Sequence, residues 1–196
     1  MILDHYSASP AVDLSDIGNE TSESRPTAQK VHTTRFGTLE VADDLIMTFE
    51  EGLIGFEKCH RFVTLCPNEQ SPLRWLQCMD DPSLAFPIIQ PSAFRDDYTP
   101  CISDADVRVL QLEQHVPAIL FAVVTVPMGS ARDMTANLIA PLVVNPLTRK
   151  GKQVILQDDR FHTKHRVMDE MVEKVTGVPN PGTRVKAPGR KSKTAA

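Results

Sequence analysis

A chain of 196 residues with 41% hydrophobic and 23% charged residues has the size and balance of one globular domain with tails. Its longest apolar run, Ala118 to Val126, falls well short of the roughly 20 residues a membrane-spanning helix requires. The opening MILDHYSASPAVDLSD lacks the basic-then-apolar order of a signal peptide, so the cytoplasm is the expected compartment. The formal net charge of −4 is uneven: from Lys174 onward there are six basic and no acidic residues, which leaves 15 basic against 25 acidic before it. Such a body repels nucleic acid and attracts basic partners.

In chain order, residues 1–30 mix Ser, Thr, Asp, Glu and Pro without apolar periodicity and read as a disordered extension. The folded part is expected over 31–170. It opens with a hairpin-like pair, TTRFGTLEVADDLIMTF, whose turn is placed near Ala42-Asp43-Asp44. Ten prolines between Pro67 and Pro146 exclude long helices there. Between them lie short runs rich in Val, Ile, Leu and Phe: RFVTLC, LRWLQC, LAFPIIQ, AILFAVVTV, LIAPLVV and then KQVIL, the pattern of a β-sandwich or barrel. AILFAVVTV is apolar on both alternating sets and predicts a central strand covered on both faces. Pro141 marks LIAPLVV as an edge or bulged strand. Two short helices are expected. One starts at Ser103 with Asp106 three residues on; the other carries Val167, Met171 and Val175 and ends at Gly177. Residues 171–196 read as a basic, disordered tail.

Candidate chemistry is sparse. Asp80-Asp81 in WLQCMDDPSLAF lie beside the only tryptophan, but adjacent strand residues point to opposite faces and rarely converge on one atom. DDPS fits a turn in which an aspartate caps a free amide, and Asp96-Asp97 before Tyr98 fit the same description. His162 and His165 form H-x-x-H, and Cys59-His60 adds two donors, yet neither has a second pair at a metal-site spacing. Cys59, Cys66, Cys78 and Cys101 show no C-x-x-C and are expected as free, mostly buried thiols. Ser130 has no nucleophile-elbow context, and EEGLIGFE lacks a phosphate-loop lysine. Gly52 and Gly55 of that stretch, and Gly37, are expected to shape turns. Arg35, beside Phe36 and Gly37, suits recognition of a carboxylate. The eleven aromatics are not interleaved with basic residues as a nucleic-acid platform requires.

Six blocks then stand in order: RFGTLEV (35–41), IMTFEEGLIGFE (46–57), LRWLQCMDDPSLAF (73–86), DDY (96–98), TANLIAPLVVN (135–145) and KGKQVIL (150–156). Together they resemble the FliW family of flagellar assembly factors, over roughly residues 34–166. The resemblance implies a mostly β fold, a single antiparallel β-barrel-like domain with one or two short helices. It also implies no enzymatic activity, no cofactor and no metal. Its implied partners are the translational repressor CsrA, whose silencing of flagellin messages it relieves, and flagellin itself; no nucleic acid or membrane is expected. A partner surface built from Arg35, Asp80, Asp81, Asp97, Tyr98 and Asn137 is expected. The sequence departs from the family pattern at Pro87, which threatens a broken strand, and in the lead and tail, which lie outside the shared core. Two alternatives stand beside this reading: a metal-dependent hydrolase using Asp80, Asp81, His162 and His165, or a flagellin chaperone without CsrA activity.

Overall fold

A computed structural model describes residues 27–112 and 116–177. The chain forms β1 (Ala28–Thr33), β2 (Gly37–Ala42), β3 (Met47–Phe49), β4 (Arg61–Leu65), β5 (Leu73–Cys78), β6 (Ala85–Ile89), α1 (Asp104–Val109), β7 (Ile119–Thr125), β8 (Thr135–Ala136), β9 (Leu142–Val144), β10 (Lys150–Gln153), β11 (His165–Arg166) and α2 (Val167–Thr176). Strands β7-β6-β5-β4-β3-β10-β9 are hydrogen-bonded in that order, and β9 pairs back to β7, closing a seven-stranded barrel. The fold is mostly β as expected, but the barrel is mixed, because β3 and β10 run parallel.

Alternation along the strands sorts side chains into an inner core and two outer layers. Met47, Phe49, Phe62, Leu76, Cys78, Ile88, Ile119, Phe121, Leu142 and Val144 fill the barrel. Outside, Leu120, Ala122, Val124 and Val143 join Phe94, Tyr98, Leu138, Phe161 and Val167 in a layer formed with the loops and α2. Thus β7 is covered on both faces, as its unbroken apolar run predicts. On another side, Val31, Leu39 and Val41 of the β1–β2 hairpin pack on Val63 and Met79.

Both helices form, α1 on a Ser103 cap that accepts from the Asp106 N–H, α2 ending on Gly177 at φ +66. On α2 the expected apolar stripe holds at Val167, which is buried, and at Met171, which packs against the same core, but ends before Val175, which is exposed. Three further expectations are corrected. The hairpin turn lies at 34–36, between β1 and β2, while Asp43–Leu45 form a 3-10 turn leading from the hairpin into the barrel. LIAPLVV is neither an edge nor a bulge. Pro141 sits just before β9, where no ladder donor is required, and β9 is the strand that closes the barrel. Cys59 and Cys78 are buried, but Cys66 and Cys101 are exposed.

Pro87 stays within β6, opposite Trp75, yet pairing of β6 with β7 is confined to Ile88 and Ile89. A residue without an N–H cannot extend that ladder. The expected disordered extension falls outside the described residues except for its end, where β1 begins at Ala28; the expected tail likewise, except that α2 runs on to Thr176.

Candidate partner-binding surface

The β5–β6 turn is built around one amide. Gln77 is fully buried, and its Nε2 donates to the carbonyls of Cys78, Pro82 and Leu84, at 2.8, 3.2 and 3.0 Å. Sequence reading passed over this glutamine, although a polar residue between Leu76 and Cys78 in a core strand was the available signal. Asp80 faces back to β4: one carboxylate oxygen accepts from the His60 and Arg61 N–H groups at 2.7 and 2.8 Å, the other from Arg61 Nε at 2.7 Å. Asp81 Oδ1 accepts from the Ser83 N–H and hydroxyl, the turn-capping role its DDPS context suggests.

The β1–β2 hairpin tip leans over this turn. Gly37 takes φ +69, Phe36 N–H donates to the Thr33 hydroxyl, and Thr34 N–H donates to the Pro82 carbonyl. Arg35 places its guanidinium 4.3 Å from the Trp75 ring centroid, and Phe36 meets the same indole edge-on at 5.6 Å. A guanidinium held over an indole face by its charge still has N–H groups to offer a carboxylate. Arg35, Asp80 and Asp81 are therefore brought to one end of the hairpin and one turn.

Asp97, Tyr98 and Asn137 form a separate group. Tyr98 is buried, packs edge-on to Phe161 at 4.7 Å and donates its hydroxyl to the Leu138 carbonyl at 2.8 Å. Burial pushes its pKa up, and its ring faces no partner; it holds the loop that carries Asn137. Asn137 Oδ1 accepts from the Ala140 N–H, and Asp97 accepts from Arg95 Nε at the surface.

His162 and His165 stack with centroids 3.7 Å apart. The His162 N–H donates to His165 Nε2, so the His165 proton resides on Nδ1, facing Glu170 Oε1 at 2.9 Å. Desolvation, then the neighbouring His165, lowers the His162 pKa. Asp80 and Asp81 are engaged with Arg61, His60 and Ser83, and the two histidines with each other and Glu170. The structure does not join them into one set, and no group of three or more His, Cys, Asp or Glu among the described residues is placed to hold a metal ion.

Partial burial raises the Asp80 pKa, but hydrogen bonds from the Arg61 side chain and the Arg61 and His60 backbone, with the Arg61 charge, hold it below 3.8. A depressed carboxylate stabilises the fold at pH values above 3.8, and that stability is lost as pH falls through the lowered pKa. Urea midpoints measured from pH 7 down to pH 2 should therefore fall more steeply for the wild type than for Asp80→Asn, which is less stable at neutral pH; parallel curves would show that this carboxylate contributes nothing.

Among the described residues no helix is long and apolar enough to cross a membrane. The family model "FliW protein" matches residues 30–167. The chain is 42% identical to the Treponema pallidum "Flagellar assembly factor FliW" over 146 residues, covering 74% of this chain and 95% of that protein. It is 36% identical to the Thermotoga neapolitana protein of the same name over 141 residues, covering 72% and 95%. A crystal structure of the flagellar assembly factor FliW superposes with a TM-score of 0.65 at 34% identity, covering 71% of this chain and 96% of that one. With a matching barrel and a family match over residues 30–167, which takes in every strand of that barrel, the chain belongs to the FliW family of flagellar assembly factors.

Proposed function

We propose that the chain acts by occupying other proteins: it binds the RNA-binding repressor CsrA, relieving repression of flagellin messages, and binds flagellin as the competing or coupled partner. The observation that carries this reading is the family match over residues 30–167, which takes in all six blocks of the resemblance. The acidic body supports it, since a basic RNA-binding protein is steered toward negative charge. The reading requires no cofactor, no nucleic-acid contact and no membrane, and it places the protein in the cytoplasm. Arg35 on its Trp75 platform with Asp81 offers one contact surface; Asp97 and Asn137 offer a second. Asp80 serves chiefly inside the fold.

A switch of this kind needs overlapping sites or a coupling of about 1–3 kcal/mol between partners. Titration of the purified chain with CsrA, repeated with saturating flagellin, should show a clear loss of CsrA affinity, and the chain should displace CsrA from RNA in a gel shift. Binding to flagellin alone would establish the chaperone alternative, and binding to neither at micromolar concentrations would overturn the reading.

A further inference from the structure

The turn between β9 and β10 is held tightly by hydrogen bonds, yet it ends on a residue that opposes it. Asn145 fixes the turn. Its Oδ1 accepts from the Leu147 and Thr148 N–H groups at 2.9 and 3.2 Å, and its Nδ2 donates to the Leu110 and Gln111 carbonyls at 3.0 and 2.8 Å. Arg149 closes it: its N–H donates to the Asn145 carbonyl, and its own carbonyl accepts from the Thr48 N–H, both at 2.9 Å. There the backbone takes φ +59. This left-handed conformation is where a hairpin loop ordinarily carries glycine, and a side chain raises its energy.

The side chain of Arg149 opposes the fold a second time. The residue is half-buried, and its Nη1 is buried without a hydrogen-bond acceptor. The neighbouring cations are matched, Lys150 with Glu50, and Lys152 with Glu51 and Asp106. Arg149 alone of the three has no carboxylate among the described residues. Want of acids is not the reason, since before Lys174 the chain carries 25 acidic against 15 basic residues. A strained backbone and an unsatisfied guanidinium nitrogen on one residue both weaken the free fold, and such features gather where a ligand is held.

We infer that Arg149 is a binding residue that takes a carboxylate from an acidic side chain of a partner protein. The planar N–H fork of a guanidinium matches a carboxylate or a phosphate. The negative body disfavours a nucleic-acid backbone, which leaves the carboxylate. On docking, that group supplies the acceptor that Nη1 lacks in the free chain, and the turn fixed by Asn145 lowers the ordering cost of the encounter. The inference rests on the proposed function in drawing the partner from the two proteins named there.

The test uses the full chain with Arg149→Gly and, separately, Arg149→Gln, in urea denaturation and in calorimetric titrations with CsrA, with flagellin and with inorganic phosphate. Glycine relieves the left-handed strain and removes the unmatched charge, so the Arg149→Gly midpoint should equal or exceed that of the wild type. Both variants should nevertheless lose about tenfold or more in affinity for at least one of the two proteins. Stability kept or gained while affinity falls separates a binding residue from a structural one. A lower Arg149→Gly midpoint, or variants that bind both proteins as the wild type does, overturns the inference and leaves the proposed function standing. Phosphate binding that vanishes in Arg149→Gln while both protein affinities hold marks a free-anion site and overturns it as well. A wild type that binds neither protein overturns both readings.

Discussion

Replacing Gly151 by alanine is expected to destabilise the barrel by about 2–3 kcal/mol, visible as a lower urea midpoint at unchanged slope. Gly151 on β10 stands opposite Phe49 on β3 in the parallel pair, and an added Cβ would lie within 2.8 Å of three atoms of the Phe49 ring. That ring has no free direction. It is fully buried and meets Phe62 edge-on at 5.3 Å, in a core already filled by Met47, Leu142 and Val144. The methyl group must therefore displace the β3–β10 seam or force the ring off its rotamer, both costly in a close-packed interior. Phe49→Leu alone should cost about 1–3 kcal/mol through the space it opens. Combined with Gly151→Ala, the smaller side chain relieves the clash and the methyl group refills the space. The double variant should be more stable than the sum of the two losses by about 1 kcal/mol or more. Additive losses would mean that the two positions do not share one volume.

The same pair shows where sequence reading stops. That a strand lies near KQVIL, 152–156, where the structure has β10 at Lys150–Gln153, and that residues 46–49 lead into a core, follows from local patterns of apolar and turn residues. That β3 and β10 lie side by side in the same direction, with a glycine facing a phenylalanine 102 positions away in the chain, does not, because nothing local encodes a long-range register. Pro141 misled for a related reason. A proline inside an apolar run argues for an edge, yet this one stands a residue ahead of β9, and the strand it introduces makes two sets of ladder bonds. The hairpin turn was misplaced because β1 is polar on its exposed face and lends only one side to the small outer core, so AQKVHT resembles linker. Gly37 carried the correct signal. Of the expected surface, Arg35, Asp81, Asp97 and Asn137 are legible as turn-associated polar residues. Tyr98 was not, since Asp96 and Asp97 before it suggest solvent while its ring enters the layer over β7. Gln77 reveals its role only when the turn around it closes.

Glu170→Ala is expected to cost about 3 kcal/mol and to loosen α2 from the barrel. The Glu170 side chain is only 8% exposed; Oε1 accepts from His165 Nδ1 and Oε2 lies 3.2 Å from Arg95 Nη1. These contacts join the first turns of α2 to β11 and to the loop after β6. Removing the carboxylate leaves the His165 N–H without its acceptor in a buried site. It leaves the Arg95 guanidinium, whose Nη1 is 3.1 Å from His165 Nδ1, with the exposed Asp97 as its one remaining carboxylate among the described residues. A pair broken on one side loses more than the pair contributes, because the remaining group stays desolvated. The partial exposure of Arg95, 21%, keeps the figure below the upper range for buried pairs. Glu170→Gln should cost less, since its amide oxygen still accepts from His165 while its NH2 group opposes Arg95. Asp97→Ala, at an end of the network that is 76% exposed, should change stability by less than about 1 kcal/mol. Urea denaturation of the three variants gives the order directly, and amide exchange in α2 should rise only where Glu170 is altered. If Glu170→Ala matched Asp97→Ala, the helix would be held by Val167 and Met171 packing on the outer core, and the buried charges would be passengers.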